Sequence, residues 1–159
     1  MAMFPVIVET PFMFRCADPD QRIVGQLRNI TYARLALADC IKRNETPYAS
    51  HLLLTQPHVL NDDDEHEREK GIQAGLDFGA LAHKTVVYCD LGISTGMQSG
   101  IERAKSAPRP VEMRKLASWE NSINYDPYSF LLKLKLFTSA QLDMLIKNQK
   151  NGLGAFGLM

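Results

Sequence analysis

Short apolar runs alternate along this chain with longer segments in which apolar residues recur every three or four positions. The runs Phe4 to Val8, Ala49 to Leu54 and Thr85 to Cys89, with a weaker one at Pro110 to Met113, are read as strands. Between them, Ile23, Leu27, Ile30, Ala33 and Leu37 fall on one face of a helix over residues 21–43, ending in the polar stretch before Pro47. A second helix is predicted to open inside Asn61-Asp62-Asp63-Asp64-Glu65, with Asp64 as N-cap and Glu67 at capping-box spacing, and to run to about residue 82. A third starts near Thr95 and stops before Pro108. Strands alternating with helices predict an α/β protein with a mainly parallel sheet of about 4–5 strands, a Rossmann-like (flavodoxin-like) three-layer sandwich.

The pattern changes beyond residue 114. Trp119, Tyr125, Tyr128 and Phe130 cluster among turn-forming Asn121, Asn124, Asp126 and Pro127, and a last helix is expected over Ala140 to Lys150. Thr138 and Gln141 stand at capping-box spacing before it, and Gly152 marks its stop. This divides the chain into an α/β domain, residues 1–114, and an aromatic-rich helical C-terminal extension, residues 115–159, packed on the domain or on a neighbouring subunit. The apolar, Gly-rich tail 151–159 favours docking over fraying.

With 159 residues, 45% hydrophobic and 23% charged, the chain fits one soluble globular domain. Eighteen basic residues balance eighteen acidic ones, so no bulk electrostatic attraction toward nucleic acid or an anionic membrane is expected. No apolar run approaches the roughly 20 residues of a spanning helix. Residues 1–8 lack a basic leader segment and read as a first strand rather than a signal peptide. Cys16, Cys40 and Cys89 have neither zinc-site nor disulfide-framework spacing, which implies a reducing, cytoplasmic setting. No histidine spacing argues for a metal, and the acidic run 62–65 suits a solvated helix start better than a cation site.

In a parallel α/β sheet, ligands bind outside the carboxyl ends of the strands. The segment after the third strand, Asp90 to Gly96, is the strongest local signal. Gly92 and Gly96 allow close backbone approach, Ser94 and Thr95 bring hydroxyls, and the helix start that continues through Met97 and Gln98 offers free N–H groups to a phosphate or carboxylate. The same residues also fit an ordinary capped turn. The loop is neither a Walker A motif nor a GxGxxG fingerprint. After the first strand, Glu9 is a carboxylate closing an apolar run, Thr10 and Pro11 follow it, and Phe12 is placed to stack on a base or to pack in the core. Arg15 is placed to meet a phosphate. His51, read within the second strand, is suited to hydrogen-bond a ligand or to act as acid or base.

Thr10-Pro11-Phe12, Ser50-His51-Leu52-Leu53, Glu67 to Ile72 with Gly75-Leu76, and Ile93-Ser94-Thr95-Gly96-Met97 with Ile101-Glu102 and Ala104 resemble, in order and spacing, the nucleoside 2-deoxyribosyltransferase-like fold family. Within it they are similar to a small, mostly uncharacterised bacterial and phage branch. The resemblance covers roughly residues 4–114. It implies a nucleoside or nucleotide pocket at the strand ends, in which active members attack C1′ of the sugar with a glutamate four residues past the glycine of the Ser-x-Gly segment. Here that position is Gly100. Glu102 lies about 200° around the helix from it and points elsewhere.

The expectation is therefore a cofactor-free and metal-free cytoplasmic binder of a nucleotide or nucleotide-derived small molecule. In a phage it would act as a sponge that sequesters a host immune signal. Resemblance to this family also implies a homo-oligomer. The alternative is an N-glycosidase or deoxyribosyltransferase using a relocated carboxylate, Glu9 or Asp90. A further alternative is an oligomeric structural module joined through residues 115–159.

Overall fold

The computed structural model describes residues 2–119 and 125–150. Asn121, Asn124, Gly152 and the tail 151–159 lie outside them. Four strands, β1 (Phe4–Glu9), β2 (Glu45–Tyr48), β3 (Lys84–Tyr88) and β4 (Val111–Arg114), form one all-parallel sheet in the order β2-β1-β3-β4. This is an α/β, Rossmann-like three-layer arrangement. The order reverses direction between β1 and β3, so the crevice beyond their carboxyl ends is the switch point at which such sheets accept ligands.

Alternation along the strands separates the two helical layers. Val6, Val8, Val86 and Tyr88 face the long helix α1 (Pro19–Lys42), packing on Ile30, Ala33, Ala36 and Cys40. Val87 faces the other way, onto Met97 and Ile101 of α4 (Thr95–Ser106). The helix α3 (Glu65–Gly79) shares that second side, where Phe78 stacks on Tyr48 at 3.9 Å between ring centroids.

Helix starts follow local chemistry. The Asp18 side chain accepts from the amides of Asp20 and Gln21 with Pro19 in the first turn, so α1 begins two residues before the start expected at residue 21. Asp64 accepts from the Glu67 amide as expected, while the Glu67 carboxylate turns to the Asn61 amide instead of closing a reciprocal box. Thr138 and Gln141 bond each other's backbone N–H at 3.2 and 2.8 Å and cap α6 (Ser139–Lys150).

The strand read over Ala49 to Leu54 is corrected. Pairing occupies Glu45–Tyr48, and Ser50–Leu53 form a one-turn helix, α2. Pro47 is tolerated because β2 is an edge strand and needs no donor there. Glu45, a residue type that argues against a strand, is held by the paired guanidinium N–H groups of Arg114 at 2.7 Å each and by Lys84 at 2.7 Å. The turn read at Asp126-Pro127 is instead the capped start of a short helix, α5 (Pro127–Lys133).

Leu116, Trp119 and Phe130, from beyond the fourth strand, belong to the same buried cluster as the sheet face. Trp119 lies 4.7 Å from the Tyr32 ring and 4.4 Å from Phe130 between centroids. No helix among the described residues is long and apolar enough to cross a membrane.

Candidate functional site

A cavity of about 900 Å³ opens at the switch point. The end of β1 forms its floor, α3 and α4 its walls, and α2 with the loop after it closes one side. Of the residues singled out in the sequence, Glu9, Thr10, Phe12, Arg15, His51 and the helix start Ser94, Thr95, Gly96 and Met97 all line it. The sheet topology gathers them: β1 and β3 are neighbours, so the loops that follow them converge.

Glu9 follows Ile7 on the α4 side of β1 and pairs in register with Val87. Its carboxyl carbon lies 2.7 Å from where a Cβ on Gly100 would stand. Any side chain at position 100 would displace this flexible side-chain end, so glycine there is what lets the Glu9 carboxyl rest against α4. No described residue hydrogen-bonds the Glu9 carboxyl. Burial raises its pKa from 4.5 to about 7, against the opposing pull of the Arg109 and Arg103 charges. A half-protonated carboxyl with unused hydrogen-bonding capacity thus faces the cavity at neutral pH.

Beside it, His51 Nε2 and the Thr10 hydroxyl are 2.8 Å apart, and Phe12 meets the imidazole edge-on at 5.5 Å between centroids. Burial lowers the His51 pKa from 6.5 to about 4, so the ring is neutral at pH 7. Phe12 is fixed through its backbone: its carbonyl accepts from Gln26 Nε2 at 2.8 Å and Asn29 Nδ2 at 2.9 Å, tying the loop after β1 to α1.

The segment after β3 forms a capped turn. Ser94 caps α4, its Oγ accepting from the Met97 amide at 3.3 Å. The first amides of the helix, at Thr95 and Gly96, have no intrahelical acceptor to reach. A Cβ on Gly96 would meet nothing closer than Ser94 Oγ at 4.0 Å, so packing does not demand glycine there. Gly92, at φ +84°, does require it.

Four other candidates stand apart from the cavity lining. Pro11 is buried next to it, Gly92 shapes the exposed turn, and Gln98 donates to Glu102 along the outer face of α4 at 3.0 Å. Asp90 is buried against α1, accepting from the Tyr32 hydroxyl at 2.6 Å and from the Leu116 amide at 2.9 Å. That carboxylate anchors the loop and the chain beyond β4, and it is turned away from the cavity.

Sequence reasoning missed several residues of the cavity. Arg103 and Arg109 line it near Glu9, and Arg68, Gly71, Ile72, Gly75 and Leu76 form the α3 wall. Gly75 packs against Ser50, where a Cβ would come within 3.1 Å of the serine side chain, drawing α2 against α3. The spacing of 71, 72, 75 and 76 was the available signal for a shared helix face. No local pattern marks Arg109, whose guanidinium donates to the Gly79 carbonyl and to Thr85 Oγ1 across 30 and 24 residues. Among the described residues no group of acidic, histidine or cysteine side chains is placed to hold a metal ion.

A family model described as a domain of unknown function (DUF7768) matches residues 6–114, most of the chain and all four strands of the sheet except the start of β1. The chain belongs to that family. No curated protein and no solved structure matches it.

Proposed function

We propose that this member of the DUF7768 family binds a nucleotide or nucleotide-derived small molecule at the β1/β3 switch point and captures it without turning it over. The observation that carries this reading is the Glu9 carboxyl seated on Gly100. In the deoxyribosyltransferase-like fold the chain resembles, a glutamate at the position of Gly100 attacks the sugar. The Glu9 carboxyl fills the space where a side chain on residue 100 would begin, so α4 projects no nucleophile at the position the resemblance assigns to it. Burial also keeps it half protonated at pH 7, which weakens it as a nucleophile. The cavity, the helix start and the ligand-facing polar groups remain, and they are suited to holding a ligand.

One observation favours a second reading. A carboxyl with a pKa near 7 suits a general acid at neutral pH, so Glu9 is also the candidate for N-glycosidic cleavage with relocated chemistry. Asp90 is engaged elsewhere and does not compete for that role.

Calorimetric titration with nucleosides and their monophosphates, followed by chromatography of the same mixtures for free base, separates the two. Capture predicts saturable binding and intact ligand after prolonged incubation. Base release that disappears in Glu9→Gln would replace capture by catalysis, and absence of binding by every compound in the panel and by dinucleotides as well would remove both.

A further inference from the structure

We propose that the cavity takes a dinucleotide-sized ligand with a phosphate at each end, an inference that rests on the capture reading above and narrows its ligand class. Size is the first observation. At about 900 Å³ the cavity lies near the top of the ~300–1,000 Å³ range of small-molecule sites, and a mononucleotide leaves part of it empty.

Charge is the second. Four arginines line the cavity against two carboxyl groups, Glu9 and Asp62, and they sort into two pairs. Arg103 and Arg109 act electrostatically on Glu9. Arg15 and Arg68 act on Asp62, with Arg68 Nε 3.9 Å from Asp62 Oδ1.

Helix α3 sets the distance between them. Arg68 sits in its first turn, whereas Arg109 is bonded to the carbonyl of its last residue, Gly79. Eleven residues at 1.5 Å each place these anchor points about 16 Å apart along the axis. The wall between them, Gly71, Ile72, Gly75 and Leu76, is uncharged. A ligand that matches carries its highest charge at both ends, as a dinucleotide with terminal phosphates does: each terminal monoester bears about −1.5 to −2 at pH 7, and the phosphodiester between the nucleosides bears only one charge. Arg68 holds Asp62 only loosely, with about half of its side chain exposed, so a phosphate at that end displaces a weak contact.

The test is calorimetry on the full chain with three probe sets, each made with A, C, G and U: the 5′-monophosphate, the dinucleoside monophosphate, and the dinucleotide phosphorylated at both its 5′ and 3′ ends. For at least one base, the doubly phosphorylated dinucleotide is expected to bind about tenfold or more tightly than either other probe. The double variant Arg15→Gln/Arg68→Gln is expected to erase that gain, so that the doubly phosphorylated dinucleotide binds no more tightly than the dinucleoside monophosphate. Both residues are exposed, and their loss does not touch the core. The inference fails alone if monophosphates bind and terminal phosphates add nothing, or if the double variant weakens every probe equally. If no probe of any set binds, capture itself falls and this inference with it.

Discussion

The Glu9 carboxyl carbon lies 2.7 Å from the point where a Cβ on Gly100 would stand, so strand β1 and helix α4 share one small volume that only a glycine leaves open. The obstructing group is the end of a flexible side chain. Gly100→Ala therefore displaces Glu9 at little cost to the fold, helped by alanine's advantage of about 0.8–1 kcal/mol inside a helix. Ligand affinity is expected to fall about tenfold, and the same substitution in a Glu9→Ala background should have little further effect. A double-mutant cycle measured by calorimetry reads the coupling directly. Additive losses would mean that the two residues act independently.

Glu9 and His51 oppose each other in pH dependence. The Glu9 pKa is raised on folding from 4.5 to about 7, so its protonated form is favoured in the native state, and its contribution is fully present below pH 4.5 and lost as pH rises through 7. His51 is lowered from 6.5 to about 4, so the unfolded chain binds the extra proton and stability rises with pH across that window. The wild-type profile is expected to be flat between pH 5 and 6.5. Glu9→Gln should instead gain stability with rising pH, by on the order of 3 kcal/mol relative to wild type across the full Glu9 window. Urea unfolding of the two proteins at pH 4.5 and 7.5 measures it.

Asp90 is expected to act on stability alone. Removing its carboxylate leaves the Tyr32 hydroxyl and the Leu116 amide without this buried acceptor, at a cost of about 2–4 kcal/mol. Asp90→Ala should lower the unfolding midpoint while the surviving folded fraction binds ligand normally, as titration at low temperature would show. Lost affinity without lost stability would instead put Asp90 in contact with ligand.

Gly96→Ala separates packing from binding. No protein atom obstructs the added methyl, so the folded state is unchanged or stabilised by up to about 1 kcal/mol. If the first turn of α4 meets an anion, the methyl intrudes on it and affinity drops. Thermal unfolding with and without ligand is expected to show a higher Tm for the free variant and a smaller shift on ligand addition.

The buried pair Glu45–Arg114 fixes the edge strand that the hydrophobic pattern misplaced. Glu45 and Glu112 are both drawn down to about 2, chiefly by hydrogen bonds from Arg114, so the stability they supply is present above pH 4.5 and lost as pH falls toward 2. Glu45→Gln leaves the guanidinium short of a charge partner, and a loss of about 3–5 kcal/mol in urea unfolding at pH 7 is expected. The acid limb of the variant's pH profile should also flatten.

Periodicity alone determined the α/β class, the long first helix, the capped starts near Asp64 and Thr138, and the helix that begins at Thr95, because each depends on residues within a few positions of one another. The Ser94 to Gly96 loop and Glu9 were legible as chemistry for the same reason: a carboxylate closing an apolar strand and a cap followed by glycine are local anomalies. The place of β2 was not, since Glu45 is held in a strand by Arg114 and Lys84, 69 and 39 residues away. Nor could the sequence show that Asp90 turns inward to Tyr32 while Glu9 turns outward onto Gly100. Both are acids at strand ends, and what distinguishes them is which helix lies across each face of the sheet. Gly100 read in sequence as the absence of a nucleophile; parallel packing of β1 beside β3 makes it the space that Glu9 occupies.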